Sequence, residues 1–350
     1  MENKTKVENL EKIKKKKFLI IGSNFPYSIE RSYLRSFKNL GIKKVSFFSP
    51  DINIILSLFS KVNNRFTREL YYFFYRKVLI NFLKLEKKFD FIIIFKGIEL
   101  NFRTLKHISK YQKKAKWINV YTDNPFNLKY ASCSNFNVLK SINFYDYFCT
   151  SFFKKLDKKL KKYKIKNHIF LPFGYDKKIH FAEKKLKKNN IQNNVNFVGA
   201  YDEFRKNFLN NLNREIDIFG PGWNKAKNLN KFLKIKSNFI NGRQLREIYR
   251  NYAVSLNILR EQDNGSHNMK VFEIPIMGGL MLTQRNKESK YFFLENKECF
   301  MYSNQNEAKS KIDLILKKKN NLFNIRRAGL LKSKKYSYDN RLKYLLSQLV

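Results

Sequence analysis

Acidic residues are scarce in this chain. Its 350 residues include 28 Asp and Glu against 72 Lys and Arg, a formal net charge of +44. Cysteine is scarce too: Cys133, Cys149 and Cys299 are far apart and odd in number. That spacing excludes a disulfide framework and a CxxC metal pair, and it makes a reducing cytoplasm the expected compartment. Six prolines and 12 glycines exclude a low-complexity linker protein. No stretch reaches the roughly 18–20 uninterrupted apolar residues of a membrane span. Residues 1–17 are polar and Lys-rich, without the apolar region of a signal peptide. No zinc finger, basic zipper, RNA-recognition signature or helix-turn-helix pattern accompanies the basic excess, so no nucleic-acid partner is expected. The lysines are spread along the whole chain, and AT-rich coding alone would over-use Lys, Asn, Ile, Phe and Tyr together.

Apolar residues, by contrast, are plentiful. Hydrophobic residues make up 43% and aromatics 16%, enough to bury a core despite the charge. With domains of roughly 100–200 residues the rule, two are expected. Short apolar runs recur at 18–21, 45–48, 91–95, 117–121, 147–150, 168–171, 195–198, 216–219, 254–259, 280–283 and 299–302. Runs such as FIIIF lack polar alternation, as strands buried on both faces of a parallel sheet do. Amphipathic stretches lie between them. Residues 28–40 put Ile29, Tyr33, Phe37 and Leu40 on one helix face with Gly41 following, and 151–163 place Phe152, Leu156 and Leu160 four apart. Residues 70–85 read as a helix with one apolar face. Strands alternating with helices predict an α/β fold of βαβ units.

Pro26, Pro50, Pro125, Pro172 and Pro221 each follow a predicted strand. They mark carboxyl-end loops, where open α/β sheets bind ligands. The segment 183–194, EKKLKKNNIQNN, is the least apolar part of the middle and is the predicted linker. The expected organisation is a basic polar extension at 1–17, a first domain at 18–182, the linker, a second domain at 195–335 and a C-terminal helix at 336–350. Two doubly wound domains facing each other would make a cleft, the usual place for a small-molecule site.

Because acids are rare, a carboxylate in an apolar setting is informative. Glu273 lies in NGSHNMKVFEIPIMGG, residues 264–279, between a predicted strand and a glycine pair. A helix start beside Gly265 and Ser266 suits a diphosphate, and Lys270 would add a positive charge there. A carboxylate about one turn further in can accept hydrogen bonds from two ribose hydroxyls. The same pattern also fits an ordinary turn followed by a surface carboxylate.

The stretch NGSHNMKVFEIPIMGGLMLTQ, followed by FFLENKECFMYSN, resembles the C-terminal domain of group 1 glycosyltransferases, most closely the branch of the spore-maturation protein CgeB. The flanking NFVGA with Arg205 after it, IFGPGW and SYDNR agree with that likeness over about 195–345. FLIIGSNFPYS, WINVYTDNP and HIFLPFGYD stand in the corresponding places of the first half. The resemblance implies the GT-B architecture: two Rossmann-like doubly wound domains facing a cleft, with a C-terminal helix crossing back to the first. It implies a metal-independent glycosyltransferase with a nucleotide-diphosphate sugar as co-substrate and no further cofactor. Many relatives carry two glutamates separated by seven intervening residues. Glu273 matches the second, which binds ribose, and the first would fall at Gly265.

The expected donor-binding set is Glu273, Lys270, Ser266, Asn268, Arg205, Gly199 and Gly220. Arg205 and Lys270 are the candidates for the pyrophosphate, although Arg205 also reads as a plain surface arginine. His267 is a candidate catalytic group touching donor phosphate or sugar, or a plain turn histidine. Gly22, Ser23 and Asn24 form an acceptor-side loop after the first strand. Asp123, at the end of a buried strand, reads either as a base or hydroxyl ligand for the acceptor or as a turn residue before proline. No metal ligands are expected. The partners implied are a nucleotide sugar and a glycan or lipid-linked acceptor. The expected location is cytoplasmic, and a peripheral contact with the inner membrane face is compatible with the basic helix at 151–163. The alternative readings are a non-catalytic binding protein of the same fold and, further off, a nucleic-acid binder.

Overall fold

The computed structural model describes residues 11–49, 65–86, 88–152, 157–182, 191–240, 242–263, 265–317 and 322–349. Residues 1–10 of the expected extension, Pro50, Leu156, residues 183–190 of the expected linker and Asn264 lie outside that set. The chain forms two compact units, one of residues 1–172 with 338–350 and one of residues 173–337.

In the first unit, β1 (Phe18–Ile21), α1 (Ile29–Asn39), β2 (Val45–Phe48), α2 (Arg65–Leu85) and β3 (Phe91–Phe95) are followed by α3 (Phe102–Ser109), β4 (Lys116–Tyr121), α4 (Phe136–Ser141), β5 (Tyr147–Thr150), α5 (Asp157–Lys162) and β6 (His168–Phe170). The strands make one parallel sheet in the order β2-β1-β3-β4-β5-β6. β3 is FIIIF and every residue in it is buried, which is why its sequence shows no alternation. Side-chain caps start the helices: Ser28 accepts from Arg31 N, Asn101 from Thr104 N and Asn135 from Val138 N. Each such cap contributes about 1 kcal/mol.

The second unit holds β7 (Gln192–Val198), α6 (Glu203–Leu212), β8 (Ile216–Phe219), β9 (Leu233–Ser237), α7 (Gly242–Asn251), β10 (Tyr252–Asn257) and α8 (Lys270–Ile276). Then come β11 (Met281–Gln284), α9 (Lys287–Phe292), β12 (Phe300–Tyr302), α10 (Gln305–Lys317) and α11 (Leu322–Ser333). Its sheet is again parallel, in the order β12-β11-β10-β7-β8-β9. Arg326 of α11 is 2% exposed and donates to the carbonyls of Gly278, Tyr252, Tyr249 and Arg250. It ties α11 to the start of β10 and to the turn that precedes Met281.

Four expectations need correcting. The strand β9 was not foreseen, because LKIKS alternates apolar and basic residues at the sheet edge. The units divide at 172/173 rather than at 183–194. Residues 173–182 stay with the second unit because Phe173 N donates to His267 and Arg246 donates to Ile179 O, while residues 192–194 already belong to β7. The 1–17 segment is not simply a polar extension: residues 11–14 are helical and Ile13 is buried in the first core. The helix expected at 151–163 is described only over Asp157–Lys162, and Phe152 and Leu160 are core residues. Two of the three residues of the expected apolar face are thus packed in the core, and the third, Leu156, lies outside the described residues. The last helix, α12 (Tyr338–Ser347), groups with the first unit, where Asp339 accepts from Asn39 of α1.

Candidate functional site

Strand order locates the ligand-binding edge of each unit. In the second unit the order reverses between β7 and β10, and the crevice outside the carboxyl ends of such a pair is where open α/β sheets bind ligands. After β7 the chain runs through Gly199 to Asp202, whose side chain caps α6 by accepting from Arg205 N at 2.9 Å. Arg205 is 5% exposed. Its Nε and one terminal nitrogen donate to Ile258 O just past β10, at 3.2 and 3.0 Å, and the other donates to Ala200 O at 3.2 Å. The guanidinium therefore staples the two strand ends together.

Gly199 and Gly220 are also framework. A Cβ on Gly220, whose φ is +132°, would stand 2.4 Å from Gly199 O. The same Gly199 oxygen accepts from the indole of buried Trp223 at 2.7 Å. The two glycines let the loops after β7 and β8 close on each other.

The loop between β10 and α8 turns at Gly265, which has φ +83°. Ser266 and His267 are buried, and both face Glu288 of α9: Ser266 Oγ donates to its Oε2 at 3.0 Å, and His267 Nδ1 lies 2.5 Å from the same oxygen. His267 Nε2 accepts the backbone N–H of Phe173 at 3.2 Å. Both ring nitrogens are thus committed, and the ring is walled by Phe173, Phe272 and Phe292. Asn268 exchanges hydrogen bonds with Asn257, the last residue of β10, at 3.0 and 3.1 Å.

Lys270 and Glu273 are the two residues of the expected set that keep groups available. Lys270 opens α8 and is partly buried. Burial lowers its ammonium pKa, Glu273 opposes that, and Arg205 and Arg260 push it down further. Among the described residues no carboxylate forms a salt bridge with Lys270. Arg260, which sequence reasoning passed over, lies 3.8 Å from Asp202 with its side chain 42% exposed. Glu273, one turn into α8, is 8% exposed and its Oε1 lies 3.7 Å from His180 Nε2. The hydroxyl of Tyr249, buried without a hydrogen-bond partner among the described residues, has its pKa pushed well up by burial and by the Glu273 charge.

In the first unit the order reverses between β1 and β3. Gly22 and Ser23 follow β1, but their neighbour is Glu30 of α1: a Cβ on Gly22 would meet its Cγ at 2.5 Å, and Ser23 N donates to its carboxylate at 3.3 Å. Burial raises the Glu30 pKa against those hydrogen bonds. Asn24 is exposed. Lys96 follows β3 with φ +55°, and its ammonium lies 2.5 Å from Asp123 Oδ2 after β4 and donates to Ser132 O at 2.9 Å. Burial alone would lower the Lys96 pKa, but the Asp123 charge and hydrogen bond outweigh it and raise it. The turn before Pro125 is closed by Asn124, which accepts from Phe126 N, so Asp123 itself remains turned to Lys96. Glu30 and Lys96 were missed because nothing in their local sequence marks them. No cluster of three or more His, Cys, Asp or Glu among the described residues could hold a metal ion.

Two parallel six-stranded sheets with flanking helices match glycosyltransferase structures of the GT-B fold, and this chain has that fold. Sucrose-phosphate synthase from Thermosynechococcus elongatus superposes with a TM-score of 0.67 at 10% identity, over 95% of this chain and 99% of that one. A structure described as trehalose-6-phosphate from E. coli bound with UDP-2-fluoro glucose gives 0.63 at 12%, over 95% and 99%. TarM gives 0.56 at 14%, over 77% of this chain, and the match spans 57% of TarM's length. Residues 204–347, from α6 of the second unit through α12, match the family described as glycosyl transferase-like. No curated protein matches the chain by sequence.

Proposed function

We propose that this protein is a glycosyltransferase that moves a sugar from a nucleoside-diphosphate sugar to an acceptor hydroxyl. The observation that carries the reading is Lys270, a partly buried cation that forms no salt bridge among the described residues and feels the charge of the buried Glu273 one helical turn away, at the β7/β10 reversal. In the reaction the bond between the anomeric carbon and the diphosphate oxygen breaks, and the electron pair leaves with the nucleoside diphosphate. Lys270 and Arg260 stabilise that charge, which makes a metal ion unnecessary for the step. Glu273 accepts from the ribose hydroxyls. The acceptor oxygen forms the new bond and gives its proton to a general base, for which Asp123 after β4 is the candidate.

UDP is the first nucleotide to test, because the E. coli structure holds UDP-2-fluoro glucose and a TarM mutant was solved with fondaparinux, alpha-GlcNAc-glycerol and UDP. A glycan or lipid-linked saccharide is the acceptor class in this reading. The finer placement beside CgeB rests on the GSHN segment where many relatives have their first glutamate. A second reading, a non-catalytic nucleotide-sugar binder, draws on Gly265, whose left-handed φ of +83° a glutamate would adopt only under strain. A cytoplasmic site of action is part of the proposal; no helix among the described residues is long and apolar enough to cross a membrane. Liposome flotation tests the peripheral contact.

The test is calorimetric titration of UDP and GDP, then a panel of nucleotide sugars scored for thermal stabilisation and hydrolysis. Binding of one nucleotide, with about tenfold weakening in Glu273→Gln, is expected for the loss of a charge-assisted hydrogen bond. Failure of every nucleotide to bind would sink the proposal, and binding without hydrolysis or transfer of any sugar would favour the second reading.

A further inference from the structure

We propose that His180 is a positioning residue for Glu273: it presents a fixed N–H to the carboxylate and orients it for the two ribose hydroxyls. The inference rests on the ribose role of Glu273 given above.

His180 ends a tight turn built on Asp176. Ile179 N and His180 N both donate to Asp176 O, at 3.1 and 2.7 Å, and Lys178 N donates to Asp176 Oδ1 at 2.8 Å. The imidazole folds back over this turn, and its Nδ1 accepts the backbone N–H of Asp176 at 3.1 Å. A ring nitrogen that accepts an N–H carries no proton of its own. The neutral ring therefore holds its proton on Nε2, and Nε2 faces Glu273 Oε1 at 3.7 Å. That separation is longer than a hydrogen bond, and a small rotation of the carboxylate closes it. The side chains are 12% and 10% exposed, so water screens the N–H dipole weakly.

The turn is held from outside. Arg246 of α7 donates to Ile179 O at 2.9 Å, and its guanidinium stacks over Phe181 at 4.2 Å. Tyr249, on the same helix, is the buried residue whose hydroxyl feels the Glu273 charge. One helix thus braces the histidine and flanks the carboxylate. Two adjacent hydroxyls are gripped by a single carboxylate only when its plane is fixed, and a braced N–H at its edge supplies that restraint. The two other possibilities for the ring, a proton on Nδ1 or a full positive charge, would both break the bond from Asp176 N.

The test compares UDP (or GDP, whichever the wild type binds) with its 2′-deoxy form, by calorimetry, on wild type, Glu273→Gln, His180→Leu and His180→Gln. Losing one oriented hydrogen bond costs about tenfold in affinity. His180→Leu should lose about that much for the ribonucleotide and little for the deoxy form, whose ribose contact is already gone. His180→Gln, which keeps a side-chain N–H, should bind within about threefold of wild type, on the same scale. Equal losses for both nucleotides would mean a merely structural histidine and would overturn the proposal. So would unchanged binding in His180→Leu alongside weakened Glu273→Gln. If Glu273→Gln itself keeps the ribose preference, the ribose reading fails, and this proposal falls with it for that separate reason. Independently of any nucleotide, 15N NMR of the four histidines should show His180 as the neutral Nε2–H tautomer at neutral pH. A proton on Nδ1 would also overturn it.

Discussion

The Nδ1–H of His267 donates to Oε2 of Glu288 across 2.5 Å, and both side chains are almost fully buried. Ser266 donates to the same oxygen, and Asn286 holds the Ser266 carbonyl at 2.7 Å, so the start of α9 carries the loop that leads into α8. Glu288→Leu would leave an imidazole N–H and a hydroxyl buried without acceptors. About 2–4 kcal/mol of destabilisation is expected, while Glu288→Gln, which keeps an acceptor oxygen, should cost about 1 kcal/mol or less. Urea unfolding of the two variants checks this. A Glu288→Leu protein as stable as wild type would mean that the loop is held by other contacts.

The pH dependence of the second unit centres on Arg285, at the end of β11. Its guanidinium bonds Glu295 at 2.6 and 2.9 Å, the Glu307 carboxylate and Ser303 Oγ. Hydrogen bonds from Arg285 lower the Glu295 pKa and lower that of Glu307 to about 2. The folded-state values lie below the ordinary carboxylate value of 4.5, so the stabilisation is fully present above about 4.5 and is lost as pH falls through about 2. Wild type should therefore melt above Glu307→Gln near neutral pH, with the gap closing on acidification. Melting curves between about pH 7 and pH 2 read this out. A gap that stays constant across that range would show that Glu307 acts by packing rather than by charge.

Most of the fold is visible in the chain because buried parallel strands announce themselves. FIIIF at 91–95 is a continuous apolar run, and IDIF at 216–219 is apolar but for Asp217. LKIKS escaped because an edge strand exposes one face and alternates. The site divides in the same way. Lys270 and Glu273 are legible because one short helix carries both, so spacing alone sets their geometry. His180 and Glu288 are not, because their chemistry depends on contacts between distant segments, as in the Phe173–His267 bond spanning 94 residues. Close approach is equally invisible in the chain: a Cβ at Gly199, Gly220 or Gly22 would meet Phe197, Gly199 O and Glu30 respectively, and only the first of these lies near in sequence.

Lys96 separates backbone from charge in a way that can be measured. Its φ of +55° costs a non-glycine residue roughly 1–2 kcal/mol. The strain is held by Lys96 N donating to Val120 O at 3.0 Å and by Asn119 donating to Lys96 O at 3.2 Å. Those bonds aim the ammonium at Asp123 and Ser132 O. Lys96→Ala keeps the strain and loses the ammonium, while Lys96→Gly loses both. The glycine variant should therefore unfold at higher urea than the alanine variant, by about 1 kcal/mol. If Asp123 takes the acceptor proton, Asp123→Asn should lower sugar transfer by about 10²–10⁴ while nucleotide affinity holds. Both Lys96 variants should then lose turnover to the same extent, because it is the charge beside Asp123 that matters to the acceptor. Recovery of turnover in Lys96→Gly alone would instead tie the defect to the backbone, and would leave Asp123 without its assigned partner.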